Sequence, residues 1–79
     1  MKATVRVFLK NGVLDVQGKA VENALHGLGW PSVANARVGR VIEFDLTATD
    51  AAAAESEVKA MCEKLLANTV IESYRVEIA

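Results

Sequence analysis

One cysteine, one histidine and one proline stand in a chain of 79 residues, and each scarcity closes off a class of chemistry. A lone cysteine forms no internal disulfide, which fits a reducing compartment. A metal centre needs several convergent ligands, and one Cys with one His does not supply them. A nucleophile, base and orienting group would have to use His26, beside which no Ser or Cys stands as an obvious partner. Phosphate loops of the GxxxxGK[ST] or GxGxxG type are missing, and Gly27-Leu28-Gly29 closes a helix instead of opening one. Neither sign of charge dominates: nine basic and ten acidic residues give a net charge of −1, so no basic field exists to hold a nucleic acid. No apolar run approaches the ~20 residues that span a bilayer. The N-terminal run MKATVRVFLKNG, broken by Arg6 and Lys10, does not read as a secretory signal. A soluble cytoplasmic protein without membrane contact is expected.

What remains is a single domain over residues 1–79. A chain this short buries only about 60–65% of its unfolded surface, so its one core is marginal. Yet 52% of the residues are hydrophobic and only 5% aromatic, a composition that packs thinly and leaves apolar surface for a partner.

Alternation marks the first strand, Ala3–Lys10, with Val5, Val7 and Leu9 on one face and Thr4, Arg6, Phe8 and Lys10 on the other. Asn11-Gly12 marks a turn. A helix capped by Asp15 follows, with an apolar stripe of Val21, Ala24, Leu25 and Leu28. It stops at Gly27, Gly29, Trp30 and Pro31. The next stretch is long enough for two strands, Val33–Val38 and Val41–Thr47, joined by a tight turn at Gly39; one long strand bent by a bulge is the alternative. Asp50 caps a second helix with a buried stripe of Ala54, Val58, Met61, Cys62 and Leu65, and Glu55 with Lys59 forms an i,i+4 pair. Asn68 is expected to end it in the left-handed conformation. The last strand runs over Ile71–Ile78. The order β-α-β-β-α-β predicts an α+β, ferredoxin-like fold, an antiparallel sheet with two helices on one face. The other face carries Arg6, Lys10, Glu43, Asp45, Arg75 and Glu77, whose mixed signs permit cross-strand ion pairs.

Few residues are candidates for chemistry. Cys62 in an apolar stripe reads as a small buried hydrophobe, and His26 as a side chain at a helix C-terminus. The carboxylates Asp15, Glu22, Glu43, Asp45, Glu63 and Glu72 read as solvated or ion-paired. Two constellations stand out. Leu14-Asp15-Val16-Gln17-Gly18 places a glycine in a first helical turn, where it costs ~1 kcal/mol against alanine and points to close approach, for instance by a neighbouring chain. Arg37-Val38-Gly39-Arg40 places two cations at a hairpin tip, where they suit an anion or an acidic partner loop. Trp30 is a third candidate, as a plug of the helix–sheet seam or an exposed anchor.

LDVQG at 14–18, RVGR at 37–40 and CEKLLANTVIESY at 62–74 together resemble the PurS family, the small subunits of formylglycinamide ribonucleotide amidotransferase. The resemblance covers essentially the whole chain. Val16 stands where the family usually has Pro, Arg40 where it has Lys, Thr69 where Pro is common and Ser73 where Asp is common. The resemblance implies a non-catalytic structural subunit of phosphoribosylformylglycinamidine synthase in de novo purine biosynthesis. Such a chain bridges a large synthetase subunit and a glutaminase subunit, supports ammonia transfer, and self-associates to a dimer or tetramer. It binds no cofactor itself, while the complex uses ATP and Mg2+. On this reading Leu14, Asp15, Gln17, Gly18, Arg37, Gly39 and Arg40 make the inter-subunit contacts, and Asn68 and Tyr74 hold the fold. The alternative is a ferredoxin-like domain that senses a small molecule and regulates an enzyme in trans; an independent enzyme would need a catalytic group the chain does not offer.

Overall fold

A computed structural model describes residues 1–79. Strand β1 (Lys2–Leu9) is followed by helix α1 (Val16–Gly27), β2 (Arg40–Asp45), α2 (Ala51–Met61), one π-helical turn (Cys62–Leu66) and β3 (Glu72–Ile78). The three strands form an antiparallel sheet in the order β2-β1-β3. Val5 lies opposite both Ile42 and Val76, and Ala3 opposite both Phe44 and Ile78. This register puts the alternating apolar residues of all three strands on one face, as the period-two pattern requires. There Ala3, Val5 and Val7 pack with Val58, Cys62 and Ala67 in a core of fully or nearly buried side chains. The α+β, ferredoxin-like class holds, with the central strand supplying half of that core.

On the opposite face Lys2 pairs with Glu43 at 2.8 Å and Arg6 with Glu77 at 3.1 Å. Arg6 sits directly across from Arg75. The Glu55–Lys59 pair on α2 closes at 3.1 Å.

Several elements depart from expectation. Val33–Val38 is not a strand. Asn35 adopts a φ of 57°, a left-handed bend that interrupts extension. The amides of Ala36 and Val38 then donate to the carboxylates of Glu22 and Asp15 instead of to a neighbouring strand. There is accordingly no hairpin tip at Arg37–Arg40. Gly39 lies in neither a turn nor a bulge; it is needed because a Cβ there would run into the Val7 carbonyl and the Phe8 ring.

Leu65, expected in the buried stripe of the second helix, is 83% exposed. The π-helical turn, closed by the Ala67 amide donating to the Cys62 carbonyl at 3.1 Å, adds a residue to the helical repeat. Burial therefore steps from Cys62 to Leu66 and Ala67, past Leu65. Nor is Asn68 left-handed. Ala67 ends the helix in an extended conformation, and the Asn68 side chain accepts from the Val70 amide at 3.2 Å, an Asx turn that leads into β3.

Helix α1 departs most. Its stripe does not lie on the sheet: Gly18 is its only buried residue, and Val21 and Leu28 are 44% and 71% exposed. Of the two helices expected on one face, only α2 packs there. The carboxylates of the N-cap Asp15 and of Glu22 on α1 bind the backbone that follows the helix, so helix and return segment form a common arm running off the end of the sheet. The molecule measures 48 × 24 × 14 Å, with a radius of gyration of 15.8 Å. A compact domain of this length has about 11.6 Å.

The arm ends cleanly at its tip. The Gly29 amide donates to the His26 carbonyl and the Trp30 amide to the Leu25 carbonyl, while Gly29 takes a φ of 107°. This is a Schellman arrangement, in which the left-handed residue must be glycine or nearly so. Trp30 beyond it is 55% exposed and plugs no helix–sheet seam.

Candidate functional site

The two sequence constellations meet at the shoulder where the arm leaves the sheet. Asp15 is the joint. It caps α1 by accepting from the Gly18 amide at 2.8 Å, and its second oxygen accepts from the Val38 amide at 2.9 Å. The Arg37 Nε lies 3.5 Å from that second oxygen. Only 9% of the Asp15 side chain is exposed. A carboxylate accepts two amides at once at little cost, which an amide or hydroxyl side chain does less well. One residue therefore fixes both the start of the helix and the return of the chain.

Gly18 explains its own cost in helix propensity. A Cβ there would overlap the Ala36 carbonyl oxygen and lie 2.9 Å from the Asp15 carboxyl carbon. The close approach expected at this glycine is made by the chain's own return segment. Further along the arm, Glu22 accepts from the Ala36 amide at 3.2 Å and the Lys19 ammonium at 3.1 Å. The His26 ring donates from Nε2 to the Val33 carbonyl at 2.6 Å.

The two arginines, expected to face a partner together, turn to different tasks. Arg37 donates to the Leu9 carbonyl and to Asn11 Oδ1, tying the arm to the end of β1. Arg40 meets Glu72 through two nitrogens, at 2.8 and 3.2 Å, and donates to the Leu66 carbonyl at 2.6 Å. Glu72 also accepts from the Asn68 amide at 2.7 Å. Both guanidinium groups are thus engaged within the chain. Two residues of this network, Glu22 and Glu72, read only as surface carboxylates in the sequence. Beside their near neighbours Lys19 and Asn68, each has a partner 14 or 32 residues away, and no local spacing announces those pairs.

Between shoulder and sheet lies an open groove of about 420 Å³. Leu14, Gln17, Gly39 and Arg40 line it together with Val16 and Phe8. Leu14 is 74% exposed and Val16 67%, and Gln17 is exposed as well. All seven candidate residues therefore gather in one region, in two roles. Asp15, Gly18, Arg37 and Gly39 are committed to holding the arm, whereas Leu14, Gln17 and the outer side of Arg40 are open to another molecule.

The hydrogen bonds leave an electrostatic signature. Amides from Gly18 and Val38 hold the Asp15 carboxyl below its usual 3.8. The Ala36 amide and Lys19 lower Glu22 below 4.5, and Arg40 with the Asn68 amide lowers Glu72. A carboxyl whose folded pKa is depressed stabilises the fold above its unfolded value and loses that contribution as pH falls through the folded one. The urea midpoint is therefore expected to be flat above about pH 5 and to fall steadily below it. Asp15→Asn and Glu72→Gln should each flatten that acid limb, and an unchanged limb in both variants would contradict the assignment.

Elsewhere there is little reactive material. Burial pushes the Cys62 thiol up, which disfavours the nucleophilic thiolate. Tyr74 packs against the core and its hydroxyl lies 3.3 Å from Glu63. No three His, Cys, Asp or Glu side chains cluster in a way that would hold a metal ion. No helix is long and apolar enough to cross a membrane.

Comparison with known proteins agrees with this architecture. The family model PurS, described as phosphoribosylformylglycinamidine (FGAM) synthase, matches residues 2–79. The chain is 48% identical over 77 residues to the phosphoribosylformylglycinamidine synthase subunit PurS of Bacillus subtilis, covering 98% of this chain and 90% of that one. A solved B. subtilis PurS structure superposes with a TM-score of 0.83 at 47% identity, over 96% of this chain and 94% of the other. A chain of the PurLQS structure from Thermotoga maritima superposes with a TM-score of 0.87 at 32% identity, covering 96% and 93%. The matches span nearly the whole chain, and it belongs to the PurS family.

Proposed function

We propose that this chain is a non-catalytic subunit of phosphoribosylformylglycinamidine synthase, acting in purine biosynthesis in the cytoplasm. It bridges the large synthetase subunit and the glutaminase subunit and supports passage of ammonia between them. ATP and Mg2+ act on the synthetase side, and this chain self-associates within the assembly. The observation that carries the reading is the full-length match to PurS chains, one of which comes from a PurLQS structure. The side chains are consistent with it. His26 is spent on a backbone carbonyl and Cys62 is buried, while the shoulder combines a stiff frame with exposed Leu14 and Gln17.

On this reading the frame residues orient the surface and the exposed ones touch the partner. Reversing Arg37 and Arg40 would therefore damage the fold as well as the contact, so Leu14 and Gln17 make the cleaner test. Leu14→Asp with Gln17→Glu is expected to leave the circular dichroism spectrum and melting temperature unchanged. The same pair should weaken co-elution with the synthetase and glutaminase by roughly tenfold or more, as loss of an apolar anchor at an interface centre does. Undiminished co-elution would remove the shoulder groove from the contact surface.

A further inference from the structure

The face of the sheet turned away from α2 is sorted by charge. Lys2 lies across from Asp45, and Thr4 lies between Glu43 and Glu77. Arg6 lies between Val41 and Arg75, and Phe8 lies across from Ser73. The carboxylates therefore occupy one half of this face and the two arginines the other, with Lys10 just past Phe8. Like charges directly opposite on adjacent strands are destabilising unless something offsets them. Glu77 offsets Arg6 alone, its oxygens taking Arg6 Nε and Nη2 at 3.1 and 3.5 Å. Arg75 forms no ion pair.

The chain leaves room among these cations. A cleft of about 180 Å³ is lined by Arg6, Phe8, Ser73, Tyr74 and Arg75. Beside it an open hollow of about 420 Å³ is lined by Phe8, Leu9, Lys10, Asn11, Arg37 and Ser73. Phe8 and Ser73 belong to both, so the two form one trough, and no Asp or Glu lines it. Gly39 helps to open it. The edge of the Phe8 ring lies where a Cβ of Gly39 would stand, so the ring leans away from Ser73 and stays 40% exposed. The Lys10 ammonium donates to the Thr69 carbonyl at 2.7 Å, which orients it and leaves its charge uncompensated.

We propose that this trough binds a nucleoside monophosphate. The narrow end takes the phosphate between Arg6 and Arg75, whose planar guanidinium forks match its oxygens. Its negative charge offsets the opposed pair, which Glu77 only half neutralises. The wider end gives the base the face of Phe8 to lie on, with Lys10 beyond it. Stacking of this kind accepts any base, so the class is set by a phosphate joined to a flat ring. The carboxylates on the other half of the face stop a longer polyanion from continuing along the sheet. This inference stands on the open face alone and not on the role in the synthase; it gives the chain a ligand and no catalytic group.

The test titrates the whole, isotopically labelled chain at low salt with AMP, inorganic phosphate, adenosine and an oligoglutamate peptide, following amide chemical shifts. AMP is expected to shift the Arg6, Phe8, Ser73 and Arg75 amides saturably, and adenosine to leave them in place. Inorganic phosphate should act on the same amides with an affinity lower by roughly fivefold or more, because it gains no stacking. Arg75→Gln is expected to weaken AMP binding by roughly tenfold or more, as loss of a charge-assisted hydrogen bond does. Ser73→Asp should abolish it by placing a carboxylate in the trough. Both side chains are exposed, and removing one of two opposed cations costs no stability. Arg75→Gln should accordingly melt no lower than the parent chain. Phe8→Leu is expected to bring AMP down to the affinity of inorganic phosphate. If AMP shifts none of these amides, or binds Arg75→Gln and Ser73→Asp as well as the parent, the site is overturned. An oligoglutamate peptide as effective as AMP marks a surface that reads charge alone and overturns the nucleotide assignment. None of these outcomes bears on membership of the synthase.

Discussion

Gly18→Ala is expected to destabilise the chain, although alanine is the better helix former by ~1 kcal/mol. The added Cβ would meet the Ala36 carbonyl oxygen and the Asp15 carboxyl group together. Ala36 cannot retreat freely, because its amide is held by Glu22 and the next two residues are held by Asp15. Relief therefore requires breaking the bonds that dock the return segment, and the cost of overpacking, about 1–3 kcal/mol, outweighs the gain in propensity. In thermal denaturation each kcal/mol lowers the melting temperature of a domain this small by about 4–8 °C. Gly27→Ala supplies the contrast. A Cβ there meets nothing within 4 Å, so the substitution should be neutral or stabilise by up to about 1 kcal/mol. If Gly18→Ala proves as stable as the parent chain, the shoulder is not locked in the way described.

How far this arrangement was legible in the sequence depends on how local its causes are. Alternation placed β1, β2 and β3 and assigned their faces, because period two is a property of each strand by itself. Asp15 and Asp50 were readable as caps for the same reason. Cys62 fell in the core because its helical neighbours Ala54 and Val58 are spaced to bring it there. The failures come either from distant partners that take a segment's amides or from a local break in the regular repeat. Val33–Val38 begins and ends on a β-branched residue, yet Asn35 bends it and two distant carboxylates take its amides. Leu65 has the spacing of a buried residue, and one π-helical turn moves it out.

The candidate site shows the same division. The residues of LDVQG and RVGR converge as their grouping implied, but which of them face outward was not readable. Asp15 and Arg37 read as contact residues in sequence because they belong to the LDVQG and RVGR motifs. In the structure their charge is spent on Val38, Leu9 and each other. Leu14 and Gln17, the least remarkable members of the set, are the exposed ones.

The largest functional effect is expected from leaving the chain out altogether. If it bridges two partners, its presence converts a bimolecular encounter into a local one, and such linkage raises effective concentration by factors on the order of a hundred. Ammonia released by a detached glutaminase would instead be diluted into solvent. On the proposed reading, chemistry on the synthetase itself would need no group from this chain, in keeping with His26 bonded to Val33 and Cys62 buried. Omission should therefore separate two rates that the intact assembly keeps together. The deciding measurement reconstitutes synthetase and glutaminase with and without this chain and compares product formation from glutamine with that from free ammonia. The account predicts that omission lowers the glutamine-dependent rate on the order of a hundredfold and leaves the ammonia-dependent rate intact. A glutamine-dependent rate that is unchanged without the chain, or an ammonia-dependent rate that falls with it, would contradict a bridging, non-catalytic role.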